Sequence, residues 1–228
     1  MVYFKFILFL SLIMSPMQSY AKEAESACLT LISNNQCLQA LEICRLDAEQ
    51  GDPKAQTALG LMLSGITHGD FRKNYKQSFY WVQQAAEQGY SKAELAIAEM
   101  YMNGVVVPMN AKKAKVWYEK AAAKENLDGI NGLARQYRYG TGVRKDYEKA
   151  FQYYQQAALE GHTRSQVGLG LSYRDAKGVK KNMVQAYAWI LIAAEKIDKQ
   201  QLQAIEEGYK DERDNLDQTY LNVNTYHD

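Results

Sequence analysis

Cysteine, histidine, carboxylate and arginine are the side chains here that could do chemistry, and their spacing limits what that chemistry is. Cys28, Cys37 and Cys44 are the only cysteines, and all lie near the amino terminus. In an oxidising compartment such a cluster predicts one disulfide and one free thiol. Cys37 and Cys44 are seven apart on a predicted helix, about 10.5 Å of rise, so they cannot bridge each other. Cys28 precedes a turn at Ser33-Asn34-Asn35 and can fold back to either. There is no Cys-x-x-Cys pair, and the histidine nearest the cysteines is His68, so no metal site is expected.

The histidines give no catalytic pattern. His68 falls in a predicted loop, His162 at a helix start and His227 beside the end of the chain. None has a serine, cysteine or aspartate that the sequence places beside it, and no His-Glu-x-x-His, phosphate loop or dinucleotide fingerprint is present. Gly140-Thr141-Gly142 has the look of a phosphate cradle but recurs as a turn. The expectation is a non-enzyme without cofactor or metal.

Hydrophobic residues make up 47% of the 228 and charged residues 23%, the composition of a folded chain. Lys5 is the only charge in the first 21 residues, so basic and acidic groups balance in the remainder. No global field draws this chain to nucleic acid or anionic lipid. Residues 1–21 read as a signal peptide. Lys5 leads, an apolar run from Phe6 to Met14 follows, Ser15-Pro16 breaks it, and Ser19-Tyr20-Ala21 offers small residues for cleavage after Ala21. That run is too short to span a bilayer. The expected location is the periplasm or the exterior, with no membrane insertion after cleavage.

The elements that position everything else come from a repeat of about 36 residues. Ala85-Ala86-Glu87-Gln88-Gly89 aligns with Ala121 to Glu125 and with Ala157 to Gly161. Small residues follow at Ala93, Gly129 and Ser165, then Ile97-Ala98, Leu133-Ala134 and Leu169-Gly170, then Tyr101, Tyr137 and Tyr173. Glycine-containing loops follow, and Asn110, Asp146 and Asn182 stand before a second apolar run. That run carries Ala114, Ala150 and Ala186 and the aromatics Trp117, Tyr153 and Trp189. An earlier copy has Leu59-Gly60, Leu63, Asn74 and Trp81. Ala93, Ile97 and Tyr101 share one face of a helix A. The asparagines and the aspartate suit the N-cap of a helix B, and Gln77 and Gln185 complete a capping-box pattern. The aromatics at one phase, Trp81, Trp117, Tyr153 and Trp189, are expected to fill the space between hairpins.

Gly-x3-Ala-x3-Leu-Gly-x2-Tyr, a Gly-x-Gly-Val loop, an Asp or Asn cap and Ala-x2-Trp/Tyr-Tyr together resemble the Sel1-like repeats of the tetratricopeptide superfamily. Glu125 in place of glycine, Leu63 in place of tyrosine and Val106-Val107-Pro108 in place of a polar loop end depart from that pattern. The resemblance implies an all-α, right-handed α-solenoid of stacked antiparallel helix pairs. The expected parts are a signal peptide (1–21), amino-terminal capping helices with the cysteines (22–50), four repeats (51–195), and a carboxy-terminal capping helix with a frayed tail (196–228).

It further implies a protein or peptide partner on a concave face. By position, Leu95, Glu99, Asn131, Arg135, Arg138, Leu171 and Arg174 lie there, with Thr57 and Leu61 upstream. The arginines, taken as exposed, suit a carboxylate-bearing segment. A non-catalytic periplasmic scaffold or adaptor is the leading expectation, and an immunity-type inhibitor of a secreted toxin is the alternative. A hydrolase or β-lactam-binding role ranks behind both. The secreted, cysteine-rich branch linked to β-lactams carries a cysteine pair in each repeat, and the aligned positions here have none.

Overall fold

A computed structural model describes residues 27–34, 37–65 and 73–195 of the chain. The signal-peptide expectation, the expected carboxy-terminal cap, His68 and His227 all lie outside these residues. Among the described residues there are ten α-helices and no strand: α1 (Ala27–Ser33), α2 (Cys37–Glu49), α3 (Pro53–Ser64), α4 (Tyr75–Glu87), α5 (Ser91–Asn103), α6 (Ala111–Ala122), α7 (Leu127–Tyr139), α8 (Tyr147–Leu159), α9 (Thr163–Arg174) and α10 (Met183–Ala194). The chain is an all-α protein of the α-solenoid class, and it divides into two compact units, residues 1–129 and 130–228.

In the first unit each helix packs on the next, from α1 to α6. Residues Cys28, Ala40, Cys44, Ala48, Ala55, Leu59 and Met62 form one buried cluster. Val82, Ala85, Ala93, Ile97 and Met100 form a second. Cys28 and Cys44 are joined as a disulfide, so the partner of Cys28 is Cys44 and not Cys37. In the second unit, Ala134, Ala150, Tyr154, Ala158 and Leu169 make the core.

The helix B caps form as expected. Asn74, Asn110, Asp146 and Asn182 accept hydrogen bonds from the backbone N–H three residues on, at 3.0–3.1 Å. The capping-box role of Gln77 and Gln185 is replaced by a link between helices. Each cap residue's own N–H donates to the carbonyl of Leu63, Tyr101, Tyr137 or Tyr173 on the preceding helix A, at 2.8–3.1 Å. That N–H is the donor a capping-box glutamine would satisfy, so the cap fixes the hairpin as well as the helix.

Close approach within a pair depends on small residues. A Cβ added at Gly60 would sit 2.3 Å from the Val82 side chain and 2.9 Å from the Ser78 carbonyl. The expected role of the tryptophan-phase aromatics is only partly met. Trp81, Trp117, Tyr153 and Trp189 are half-buried. The deeply buried rings are one residue later, at Tyr118 and Tyr154, 2% and 4% exposed. One residue is about 100° around a helix, and that turn carries them onto helix A. Tyr154 lies over Gly168, where an added Cβ would meet its ring at 2.5 Å.

Candidate functional site

The first unit contains a groove of about 630 Å³, lined by α3, α5, the loop after α5 and the start of α7 with the residue before it. Thr57, Leu61 and Ser64 line it from α3. Lys92, Leu95, Ala96, Glu99, Met100 and Asn103 line it from α5, Val105 and Val106 from the loop, and Asn126 and Asp128 from beyond α6. The exposed surface of the walls is mainly apolar, although seven of the thirteen lining residues are polar or charged.

Each lining group has a local cause. Leu95 and Glu99 are one turn apart on α5, opposite the side that buries Ala93, Ile97 and Met100 in the core. Glu99 is half-buried, and its Oε1 accepts a hydrogen bond of 2.6 Å from the Tyr118 hydroxyl. Tyr118 is itself almost wholly buried, so the carboxylate is held from behind by a fixed ring. Among the described residues Glu99 forms no ion pair. Val105 is 62% exposed and presents an isopropyl group to solvent.

Of the other expected binding residues, Arg135 is exposed as expected and the rest are buried or half-buried. Asn131 is buried, and its Oδ1 accepts from the Ser165 hydroxyl at 3.2 Å. Leu171 is 7% exposed and belongs to the interior. Arg135 is exposed. Arg138 is not exposed as its position suggests. It is 8% exposed, with Nη2 3.2 Å from Asp175 Oδ2 and Nη1 3.4 Å from Ser172 Oγ. Arg174 is half-buried, and its Nε donates to Asp175 Oδ1 at 2.7 Å. Burial alone would raise the Asp175 pKa, but the hydrogen bond and charge of Arg174, with Lys177 and Arg138, hold it below the usual carboxylate range. Asp175 thus satisfies two of the three guanidinium groups that an acidic partner was expected to meet.

Sequence reasoning also missed a histidine–serine contact. His162 Nδ1 is 2.8 Å from Ser165 Oγ. The serine is fully buried, and Nδ1 also accepts from the Ser165 backbone N–H at 3.3 Å. That is the geometry of a helix N-cap, with no route for a substrate carbonyl to the hydroxyl. Among the described residues no group of histidine, cysteine and carboxylate side chains is placed to hold a metal ion.

Of the groove residues, Thr57, Leu61, Leu95 and Glu99 were legible from helix register, and Val106 falls in the stretch that breaks the repeat's polar loop. Lys92, Asn103, Asn126 and Asp128 carried none.

Known structures share this architecture. A protective antigen present in uropathogenic Escherichia coli strains, displaying an SLR fold, is 34% identical with a TM-score of 0.65, over 69% of this chain and 33% of its own. A Sel1 repeat protein from Oxalobacter formigenes is 32% identical with a TM-score of 0.65, over 69% of this chain and 62% of its own. This chain therefore spans about a third of the first relative and under two thirds of the second. An immunity protein from Pseudomonas aeruginosa is alike in fold, at 21% identity and a TM-score of 0.50, over 68% of this chain and 56% of its own. No curated protein matches the sequence. The Sel1 repeat family model matches residues 53–90, 91–126, 127–162 and 163–198, well over half of the chain, and the protein belongs to the Sel1 repeat family.

Proposed function

We propose that this protein is a non-catalytic binding scaffold that acts in the periplasm, and that the groove of its first unit receives a segment of a protein partner. Stacked helix pairs offer extended surface and few catalytic constellations, which supports a binding role. The observation that carries the reading is the aliphatic lining at Leu61, Leu95, Val105 and Val106. Exposed apolar surface rimmed by polar groups is characteristic of a contact site. The Cys28–Cys44 disulfide suits an oxidising compartment. Among the described residues no helix is long and apolar enough to cross a membrane.

The likeness to an immunity protein is one of fold and brings no toxin-binding role to this chain. The test is site-specific photocrosslinking in intact cells. A photoreactive residue at Val105 should capture one discrete protein, and the purified pair should bind with an affinity that Val105→Asp lowers at least tenfold. Capture from Val116, an exposed valine outside the groove lining, with none from Val105, would place the contact elsewhere.

A further inference from the structure

We infer that the groove selects a segment in which a lysine or arginine sits beside an aliphatic or aromatic side chain. This deepens the binding reading above and rests on it. The aliphatic wall of Leu61, Leu95, Met100, Val105 and Val106 has no directional chemistry. It accepts any apolar side chain that removes its surface from water. Direction comes from Glu99. Its carboxylate stands among those side chains, accepts one hydrogen bond from the buried Tyr118 hydroxyl, and forms no ion pair among the described residues. A neutral hydrogen bond orients a carboxylate without cancelling its charge. When a partner covers the groove, water leaves Glu99, and an unpaired carboxylate is then costly to bury. A cation carried by the partner offsets that cost and forms a charge-assisted hydrogen bond in a half-apolar setting. A carboxylate in the same place would add repulsion to the desolvation penalty.

The one basic residue of the groove lining does not reverse this sign. Lys92 also lines the groove but is itself exposed, so solvent screens its charge. Glu99 is also particular to its repeat. The aligned positions hold Leu61, Arg135 and Leu171, so the charge is a property of this groove and not of the repeat.

The experiment is selection of a phage-displayed random peptide library on the purified protein, followed by affinity measurement of the enriched peptides. Peptides with Lys or Arg next to Leu, Ile, Val or Phe are expected. Glu99→Gln should weaken them about tenfold, and Glu99→Lys should shift enrichment toward acidic peptides. Val105→Asp should weaken them too, and since Val105 is exposed that variant keeps its fold, as circular dichroism will confirm. Enrichment of acidic or uncharged peptides that still depend on Val105 would overturn the charge assignment and leave the groove standing. So would basic peptides that bind Glu99→Gln and wild type alike. If no enriched peptide is sensitive to Val105→Asp, both this inference and the groove reading fail.

Discussion

Lys124 holds its ammonium 2.5 Å from the carboxylate of Glu94, which is almost wholly buried on α5. The pair occupies the positions that Gln56 and Gln88 fill one repeat earlier, where Gln88 Nε2 donates to Gln56 Oε1 at 2.8 Å. An amide pair has thus become an ion pair at the same place in the next repeat. The exchange leaves one group unserved. Gln56 and Gln166 donate to the carbonyls of Ala48 and Ala158, whereas Glu94 has no proton to give and, among the described residues, its Oε2 has no hydrogen-bond partner.

Removing the cation should therefore cost more than removing both charges. Lys124→Ala is expected to lower stability by about 2 kcal/mol, because it strands a buried carboxylate; the partial exposure of Lys124 keeps this below the range for a fully buried pair. The double variant Glu94→Gln/Lys124→Gln restores the amide arrangement and should return to within about 0.5 kcal/mol of wild type. Urea denaturation of the three proteins checks this. A double variant as unstable as Lys124→Ala would show that the loss comes from packing of the lysine stem.

Among the described residues, two turns carry side chains in left-handed backbone. Glu125 has φ 60° where Gly51, Gly89 and Gly161 have 93°, 82° and 84°. Ala176 has φ 55° where Gly104 and Gly140 have 69° and 75°. A Cβ in this region costs about 1–2 kcal/mol, partly offset by the extra freedom glycine has when unfolded. Glu125→Gly and Ala176→Gly should each raise stability by roughly 0.5–1 kcal/mol, read as a higher thermal midpoint. A lowered midpoint would mean that side-chain contacts at these residues outweigh the strain.

Asp175 makes stability depend on pH with a definite sign. Its folded pKa lies below its unfolded value of about 3.9. The contribution is therefore present above the unfolded value and is lost as pH falls through the folded one. Asp175→Asn should be less stable than wild type at pH 7, with the gap closing below about pH 4. Denaturation midpoints measured across that range decide it. A gap that persists at low pH would show that the carboxylate acts by shape and not by charge.

The disulfide makes a separate claim on the amino-terminal helices. Cys28 and Cys44 are 16 residues apart, and closing a loop of that size stabilises by about 3 kcal/mol in the chain-entropy account. Cys44→Ser should lose about that much. The oxidised protein should show one reactive thiol per chain when unfolded without reductant. Three would mean that the bridge does not form.

How much of this was legible in the sequence depended on whether the cause was periodic. The helices, the Asn74, Asn110, Asp146 and Asn182 caps and the small residues at Gly60 and Gly170 recur at fixed spacing, and each is a local requirement of a helix or of two helices touching. The link from each cap N–H to the preceding helix A carbonyl was hidden, because backbone groups carry no sequence mark. The buried rings Tyr118 and Tyr154 stand one residue past the tryptophan phase, and a shared period does not say which of two adjacent aromatics faces the partner helix. The engagement of Arg138 and Arg174 was hidden for a different reason. Arg138 and Arg174 share a helical face with Leu95 and Glu99 by register, but Asp175 follows α9 in a loop, and register says nothing about which loop carboxylate folds back. The groove's loop wall was half legible, because Val106 departs from the repeat and a departure marks a place without saying what it does.

The central claim is that a partner segment occupies the groove beside Glu99, and calorimetric affinity tests it most directly. The protein captured from Val105 would be titrated against wild type, Val105→Asp and Val116→Asp, each change placing one carboxylate on an exposed valine. The account predicts at least a tenfold loss for Val105→Asp and no change for Val116→Asp. Unchanged affinity for Val105→Asp, or a loss confined to Val116→Asp, would contradict it.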